Sequence, residues 1–563
     1  MMGNQRSACT VLFALLLAAR SLALPSTKHK YSASSYVGLS TSAIFPTPNA
    51  TNAATEYDSY FPPLSVVGNA GPTPTGDEAE LLATATSVPK ITGAYPLQEP
   101  ATADNKSSFD VRKSWGPLSP MFSVDSFGLP EASMLIPEGC KLDQVHLVHR
   151  HGARYPSSGY DFAEKLHNAT VDGSGFTAKG DLAFLNAWTY KLGEELLTPF
   201  GRQQLFDLGV SFRIKYGELL KDFTGLPVFR TTSEYRMVQS AENFAAGFFG
   251  IPDYLTNYRQ SITIEDWYDA TLNNTLAPYC EMQNTIGYVG FDVGDKWAEI
   301  YLKNALSRVG SQIEGLNLTI TDLFEMRELC AFETVALGAS AFCDLFTEEE
   351  WKGYEYYQDL AFWYTYGPGN PTTASIGIGY VHELVSRLTQ TPITVHNSTT
   401  NATLDNNNIT FPLNQPIYVD ATHDTIITAI LVAMNFTSFA SEGPLPMDHR
   451  PKKQVYYANQ LAPFAAQLVG QVMSCPANSN TENTASETQQ YIRWLLNDGV
   501  VPLTGITGCA EDKNGLCLLS TFISSMQSRV TEVDFAQDCN GNYTFDVWTD
   551  KIIDGRPSKS MFA

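Results

Sequence analysis

In the region after residue 125, short apolar runs typical of buried strands are each followed by a helical pattern of apolar and polar positions. Three such junctions are predicted, with strands over 145–148, 227–232 and 416–419. Helical stretches follow them, over 160–168, from Ser233 through 249, and over 426–434. This alternation is typical of an α/β domain.

The helix starts give the junctions a common orientation. Ser233 is the predicted N-cap of the second helix, with Arg236 in its first turn. Another helix is predicted from Pro199 to about Lys215, and we interpret it as scaffold. In an open α/β sheet, ligands lie beyond the carboxyl ends of the strands, where helix N-termini favour anions. We therefore expect the three junctions to converge at one such edge.

Chain length fits one large domain preceded by a leader. The roughly 430 residues after 125 suffice for an α/β domain with an inserted, mainly helical smaller part. We place the α/β core at about 125–240 and 355–563, and the helical insertion at about 241–354. Residues 24–110 are dominated by Ser, Thr, Pro and Ala without sustained periodicity, which predicts a flexible leader.

The first 23 residues predict secretion. Arg6 precedes an apolar run over 11–19, and the small residues of 21–23 suit cleavage of a signal peptide. That run is shorter than the roughly 20 residues needed to span a bilayer, so no membrane anchor is expected. Asn-x-Ser/Thr sequons fit an extracellular or cell-wall glycoprotein and occur at Asn49, Asn105, Asn168, Asn273, Asn317, Asn397, Asn401, Asn408, Asn435 and Asn542.

Cysteine content also indicates an oxidising compartment. Cys9 lies in the signal peptide, and the remaining eight cysteines predict four disulfides. Sequence spacing leaves their connectivity open, although the close pairs Cys330/Cys343 and Cys509/Cys517 would close short loops. A zinc site is not expected, because the chain has no CxxC motif or Cys/His cluster.

The overall charge limits the partners. The chain carries 59 acidic and 36 basic side chains, a formal net charge of −23. Such a charge argues against nucleic acid or an anionic membrane as partner. An anionic small molecule would therefore need a local basic pocket. The oligomeric state does not follow from the sequence.

Such a pocket is predicted at residues 150–156, directly after the first strand. There His151 is flanked by Arg150 and Arg154. An imidazole nitrogen can attack phosphorus only if the charge on the phosphoryl oxygens is neutralised, which planar, permanently charged guanidinium groups do well. The segment therefore predicts phosphoryl chemistry.

Together these motifs resemble the histidine acid phosphatases, a family that includes secreted fungal phytases and acid phosphatases. The resemblance rests on residues 150–156, on Arg230-x5-Arg236 with 240–249 behind it, on His423-Asp424, and on 197–201. It implies a phosphoglycerate-mutase-like α/β sandwich with an inserted helical domain. It also implies the disulfide pairs Cys140/Cys475, Cys280/Cys539, Cys330/Cys343 and Cys509/Cys517.

The resemblance further implies a role for each motif residue. His151 would be the nucleophile that forms a phosphohistidine, and Asp424 would protonate the departing alcohol and then help water to cleave the intermediate. The phosphoryl oxygens would be held by Arg150, Arg154, Arg236 and His423. A covalent step divides a difficult hydrolysis in two, and the cationic clamp stabilises the transfer without a metal or other cofactor.

Neighbouring polar residues are interpreted differently. Arg230 is expected to brace the pocket through acidic neighbours, and Asp420 is the alternative candidate for the general acid. Four others are expected to be structural or solvated: His146 and His149 as strand positions with satisfied hydrogen bonds, and Glu234 and Glu242 as helix-face charges.

Substrate preference is predicted from departures from the phytase pattern. In the segment 179–186, Asn186 lies where phytases tend to carry lysine, Asp181 adds negative charge, and Thr425 replaces an asparagine common after the third motif. Lys179 or Lys191 would compensate in part. We predict a secreted acid phosphatase of broad specificity acting on small phosphate monoesters, with inositol phosphates such as phytate as candidate substrates.

Three alternatives stay open from the sequence. One is a dedicated phytase. Another is a phosphoglycerate-mutase-like phosphotransfer enzyme, which would share the phosphohistidine but not need four disulfides. The third is a non-catalytic secreted cell-wall glycoprotein, suggested by the Ser/Thr-rich leader.

Overall fold

A computed structural model of the chain describes residues 109–171, 173–265, 273–476 and 488–562. The predicted signal peptide and the leader up to residue 108 lie outside the described residues. The strands are β1 Lys141–Arg150, β2 Thr177–Ala178, β3 Val228–Thr232, β4 Arg259–Thr263, β5 Ile313–Glu314, β6 Ile417–Thr422, β7 Gln467–Pro476, β8 Thr488–Leu496, β9 Gly499–Val501 and β10 Cys517–Leu518.

The α-helices vary from a single turn to five turns. They are α1 Asp161–Val171, α2 Pro199–Tyr216, α3 Tyr235–Phe249, α4 Glu281–Ile286, α5 Val289–Tyr301, α6 Lys303–Gly310, α7 Ile320–Leu337, α8 Glu348–Thr365, α9 Thr373–Thr389, α10 Ala402–Asp405, α11 Asp424–Ala433, α12 Ala458–Leu461, α13 Leu519–Glu532 and α14 Phe535–Asn540.

The main sheet is mixed, with the order β10-β8-β7-β1-β6-β3-β4 and β9 paired with β8. Strands β1, β6, β3 and β4 run parallel to one another. Strands β7 and β8 pair antiparallel next to β1. Since β1, β3 and β6 are the three predicted strands, the parallel half of the sheet brings their carboxyl ends to the same edge.

Residue alternation along β1 explains why this strand lies at the centre. Val145 and Leu147 pack in one apolar cluster, with Phe212 and Phe244 of α2 and α3. Val148 packs on the opposite face in the larger cluster, which includes α9, α11 and α13. Helices therefore cover both faces, as a strand with six consecutive buried residues requires. The predicted α/β sandwich is confirmed.

The helical part of the chain packs through aromatic side chains. Trp297 of α5 lies edge-to-face against Tyr356 of α8, with ring centroids 5.5 Å apart. Among residues 241–354, the predicted insertion, β4 belongs to the main sheet. The domain boundaries therefore stay a prediction, with this strand as an exception to a purely helical insertion.

Local differences from the predicted elements have simple causes. The predicted N-cap Ser233 is wrong by one residue, because α3 starts at Tyr235 with Glu234 at the N-cap. The Ser233 hydroxyl instead accepts a hydrogen bond of 2.9 Å from the backbone N–H of Glu265. Strand β6 extends through Thr422 because all six of its residues are buried between β1 and β3.

Four disulfides link the cysteines in the pairs that the family resemblance implied. Cys140 and Cys475 join the start of β1 to the end of β7, two neighbouring strands. The remaining pairs are Cys280–Cys539, Cys330–Cys343 and Cys509–Cys517. Long loops closed in this way restrict the unfolded chain and stabilise the fold.

No helix in the described part of the chain has the length and apolar character needed to cross a bilayer.

The loop after β1 packs backbone to backbone against the start of α2. Thr198 caps this helix by accepting a hydrogen bond of 3.0 Å from the N–H of Gly201, and its own N–H donates to the carbonyl oxygen of Ala153 at 2.9 Å. A Cβ at Gly201 would lie 1.9 Å from that carbonyl oxygen, and one at Gly152 would lie 2.1 Å from the Gly201 oxygen. Glycine at both positions is therefore required for this close approach.

We expect Gly201→Ala to lower the free energy of unfolding by about 3 kcal/mol, the upper end of the usual cost of overpacking, because the added methyl group meets backbone that cannot yield easily. Urea-induced unfolding measures the change. Gly159→Ala is the matched control, since a Cβ there meets nothing within 4 Å. Equal stability of the two variants would contradict the close packing of this loop.

Candidate active site

The carboxyl ends of β1, β3 and β6 carry the predicted site residues. Arg150 ends β1 and is in register with Thr422, the last residue of β6. His423 and Asp424 follow directly, and Arg236 lies in the first turn of the helix after β3. The predicted convergence of the three junctions on one edge is therefore found in the structure.

His151 is oriented by its own loop. Its side chain is buried, and its Nδ1 lies 2.8 Å from the carbonyl oxygen of Gly152. A carbonyl oxygen only accepts, so we assign the imidazole hydrogen to Nδ1, which leaves the lone pair on Nε2. Burial, followed by the charges of Arg150 and Arg236, lowers the pKa of His151 well below its ordinary value. The imidazole is therefore neutral and can act as a nucleophile.

Arg150 connects the end of β1 to several parts of the chain. Its side chain is 1% exposed, and one terminal nitrogen donates to the backbone oxygens of Pro117 and Ala462, the latter at 2.9 Å. Its other terminal nitrogen lies 2.6 Å from Asp424 Oδ2, and its guanidinium carbon lies 4.6 Å from the ring centre of Phe464. Burial lowers the pKa of Arg150 to about 10, so the group is still cationic at acidic and neutral pH.

Arg154 and Arg236 add two further guanidinium groups. Arg154 donates a hydrogen bond of 2.8 Å to the backbone oxygen of Tyr155, and its Nε has no hydrogen-bond partner among the described residues. Burial, and then the charge of Arg236, lowers the pKa of Arg154. The terminal nitrogens of Arg236 contact the carboxylates of Glu195 and Glu234. These cations repel one another, and the negative charge of a bound phosphoryl group would offset that repulsion.

His423 lies next to His151, and its Nε2 faces two carboxylates. The two imidazole rings are edge-to-face, with centroids 5.9 Å apart. His423 Nε2 lies 2.9 Å from Glu265 Oε1 and 3.9 Å from Glu234 Oε2. These carboxylates orient the ring, as acidic partners commonly do for functional histidines.

Asp424 is the first residue of α11 and has 18% of its side chain exposed. One carboxylate oxygen contacts Arg150, and the other accepts a hydrogen bond of 2.9 Å from the N–H of Thr425. The carboxyl group therefore lies at the mouth of the pocket, fixed by two donors and still open to solvent. A group that exchanges protons with a leaving alcohol and with water needs such access.

Asp420, the alternative general acid, lies inside the protein. It is fully buried and paired with Arg230 at 2.6 Å and with Arg387 at 2.5 Å. Burial alone would raise the pKa of Asp420, but the two arginines outweigh it and hold that pKa well below its ordinary value. Asp420 is thus a permanent counter-ion without a proton to donate. Arg230 also pairs with Glu383 at 2.6 Å, which confirms its predicted bracing role.

The strand histidines are buried as predicted, but their hydrogen bonds are only partly satisfied, because His146 Nδ1 and His149 Nε2 have no partner among the described residues. His146 donates a hydrogen bond of 3.0 Å from Nε2 to the side-chain oxygen of Gln144 and stacks on Tyr418. His149 is also fully buried, and its Nδ1 lies 3.1 Å from the backbone oxygen of Arg150. Burial lowers the pKa of His146 to about 3 and that of His149 to about 4, so both are neutral.

Three carboxylates in contact with the predicted site residues were missed or misjudged by sequence reasoning. Glu234 is not a solvated helix-face charge, because it pairs with Arg236 inside the pocket. Glu195 and Glu265 belong to no motif and enter the site from loops that are distant in sequence. Only the position of Glu234 beside Arg236 could have indicated its role. Glu242, by contrast, is exposed as expected.

By residue type, Glu234, Glu265 and His423 could hold a cation, since their ligand atoms all lie within 4.8 Å of one another. Arg236 already contacts Glu234, however, and His423 Nε2 faces Glu265. A metal ion here would adjoin a guanidinium group and repel it. We therefore interpret the group as an ion-pair network and assign no metal to it.

Comparison with known proteins agrees with this geometry. The chain matches the model of the histidine phosphatase superfamily (branch 2) over residues 141–497. It is 33% identical to phytase A of Aspergillus fumigatus over 424 residues, which cover 73% of this chain and 87% of that protein. It is 31% identical to phytase A of Neurospora crassa over 482 residues, 76% of this chain and 93% of that protein.

A solved structure supports the same assignment. The crystal structure of the phytase from D. castellii is similar with a TM-score of 0.60 and 27% identity, covering 80% of this chain and 93% of that one. The chain therefore belongs to branch 2 of the histidine phosphatase superfamily and is a phosphoric monoester hydrolase.

Proposed function

We propose that the protein is a secreted acid phosphatase that hydrolyses phosphate monoesters through a phosphohistidine on His151. The observation that carries the proposal is the neutral, buried imidazole with its hydrogen on Nδ1, on which the positive charges of Arg150, Arg236 and Arg154 act. These charges would neutralise the phosphoryl oxygens that otherwise repel a nucleophile.

In the first step, His151 Nε2 attacks phosphorus and the bond from phosphorus to the ester oxygen breaks. Asp424 gives its proton to the departing alcohol. In the second step, water attacks phosphorus, the bond to Nε2 breaks, and the Asp424 carboxylate takes a proton from the water. Phosphate leaves and the neutral imidazole is restored. An acidic pH is favoured because Asp424 must carry a proton when the first step begins.

The binding residues are proposed to be Arg150, Arg154, Arg236 and His423. In the ligand-free structure Arg150 contacts Asp424. A phosphoryl oxygen would compete with the Asp424 carboxylate for this guanidinium group.

Broad specificity is supported by the segment around Asn186. Its amide nitrogen donates to the backbone oxygens of Ala178 and Ala183, at 2.8 and 3.0 Å, so this side chain holds its own loop. Lys179 pairs with Glu314 at 2.5 Å. Asn186 carries no charge, and Glu314 offsets the charge of Lys179, so this segment attracts the outer phosphates of a polyphosphorylated ring less than an unpaired lysine would. The relatives are named phytases, which supports phytate as a substrate.

Secretion is supported by the four disulfides, which persist in oxidising compartments. The net charge of −23 supports a small-molecule substrate in place of nucleic acid or an anionic membrane.

Replacing the nucleophile tests the proposal directly. We expect His151→Ala to abolish hydrolysis of p-nitrophenyl phosphate and to prevent trapping of labelled phosphate on the protein after rapid denaturation. His167→Ala, an exposed histidine on α1, is the matched control and should keep both properties. Substantial turnover by His151→Ala would exclude His151 as the nucleophile.

The proton donor is tested by leaving-group dependence. We expect Asp424→Asn to slow alkyl phosphates by about 10² to 10⁴, the usual contribution of general acid catalysis, and aryl phosphates far less, because an alkoxide needs the proton more. Ratios of kcat/KM for the two classes give the measurement, with the exposed Asp181→Asn as control. Equal slowing of both classes would assign Asp424 a purely positional role.

Substrate specificity is tested on the purified protein at several acidic pH values. We expect kcat/KM for phytate to be within about tenfold of that for simple monoesters, a difference worth about 1.4 kcal/mol in transition-state binding. A larger preference for phytate would establish the dedicated phytase instead.

A further inference from the structure

The donors proposed to bind the phosphoryl group already face a carboxylate of the protein. Glu234, the N-cap residue of α3, contacts Arg236 through Oε2, and the same oxygen lies 3.9 Å from His423 Nε2. Its side chain is 27% exposed, whereas Oε2 itself is buried. An arriving phosphoryl oxygen needs the same two donors.

Glu265, two residues after β4, faces the same nitrogen of His423 as Glu234 does. Its side chain is fully buried, and its carboxylate oxygens lie 2.9 and 3.1 Å from His423 Nε2. Its backbone N–H is held by Ser233, the residue before Glu234. The two carboxylates therefore face the same Nε2, with Glu265 at hydrogen-bond distance and Glu234 farther away and in contact with Arg236.

Charge counting shows why this arrangement affects binding. The groups that face Glu234 are Arg236 on its own helix, Glu265 after β4, His423 after β6, and Glu195 in the loop before α2. With all three glutamates ionised, a doubly charged phosphoryl group would enter next to three carboxylates. Like charges at such short range in a partly buried site disfavour each other strongly. One proton bound among these glutamates removes much of the repulsion between them and the phosphoryl group.

We propose that Glu234 competes with the phosphoryl group for Arg236 and His423, and that the site binds an anion together with one proton that resides on or next to Glu234. The inference rests on the proposed phosphatase function and adds a residue that selects the protonation state of the bound complex. Either a neutral Glu234 donates to a phosphoryl oxygen, or its carboxylate accepts from a singly protonated phosphoryl group.

Electrostatics identify Glu234 as the proton-binding member of the pair. Burial, and then the charge of Glu265, raises the pKa of Glu234. For Glu265, burial acts in the same direction, but the contact with His423 outweighs it and lowers the pKa of Glu265. As pH rises through the pKa of Glu234, its carboxylate forms and anion binding weakens. Anion affinity is therefore highest on the acidic side.

Inorganic sulfate is a suitable probe, because it has the shape of phosphate and stays a dianion across the range in which glutamates titrate. Its competitive inhibition of p-nitrophenyl phosphate hydrolysis reports only groups of the protein. For the wild-type protein we expect the inhibition constant to rise about tenfold per pH unit above the pKa of Glu234. In Glu234→Gln this dependence is lost, and sulfate binds at least about tenfold more tightly than to wild type one pH unit above that pKa.

Matched variants of two other glutamates test whether the pH dependence is specific to Glu234. Glu242→Gln, an exposed glutamate on the same helix, should keep the wild-type dependence. Glu195→Gln removes the other partner of Arg236 and should also keep it. An unchanged pH dependence in Glu234→Gln, or its loss in Glu195→Gln instead, would overturn the inference.

A measurement on the wild-type protein avoids any effect of substitution on folding. Calorimetry of sulfate binding above the pKa of Glu234, in buffers of different ionisation enthalpy, should show uptake of about one proton per anion bound. Uptake of none would overturn the inference even if the enzyme is active. Failure of the wild-type protein to hydrolyse p-nitrophenyl phosphate at acidic pH would instead contradict the proposed function.

Discussion

The rest of the site depends on the burial of positive charge at the end of β1. Arg150 carries a guanidinium group that is almost inaccessible to water, and desolvation of such a group costs several kcal/mol unless its donors are used. The protein meets this requirement with two backbone oxygens, the Asp424 carboxylate and the face of Phe464. The same contacts that make the buried cation tolerable fix the loop that carries His151.

A second buried charge network links β3, β6 and α9 and holds the two strands in register. Asp420 on β6 joins Arg230 on β3 to Arg387 on α9, and Glu383 of the same helix completes the set. Both guanidinium groups also lie about 5 Å from the ring of Phe411. Buried ion pairs contribute little net stability, but breaking one leaves an uncompensated charge, so they favour one arrangement over its alternatives. Here that arrangement aligns the ends of two strands that carry the site.

Much of this architecture could be predicted from the sequence, because its signals are local. The apolar runs that became β1, β3 and β6 are short and bounded by polar segments, and parallel strands then bring His151, Arg236 and His423 to one edge. Within each motif, the residues are contiguous or nearly contiguous in sequence. A bracing role for Arg230 was expected because two arginines six residues apart do not automatically share one role.

What could not be predicted depends on contacts between distant segments. Glu195 and Glu265 approach Arg236 and His423 from loops that carry no motif, so only the folded chain shows that they belong to the site. The N-cap of α3 differed from expectation for a related reason. Ser233 has the side chain of a favoured cap, but its hydroxyl binds Glu265, and this tertiary contact outweighs the local preference.

The contrast between the anionic surface and the cationic pocket follows from distance and screening. Surface carboxylates more than a Debye length away, about 8 Å at physiological ionic strength, act weakly on a bound anion. Glu195, Glu234 and Glu265 lie within contact distance of the binding cations. Their charges therefore act on a bound anion more strongly than those of the many more distant acidic groups. The affinity of such a site for anions is set by a few neighbouring carboxylates, and the net charge of −23 matters mainly for the encounter.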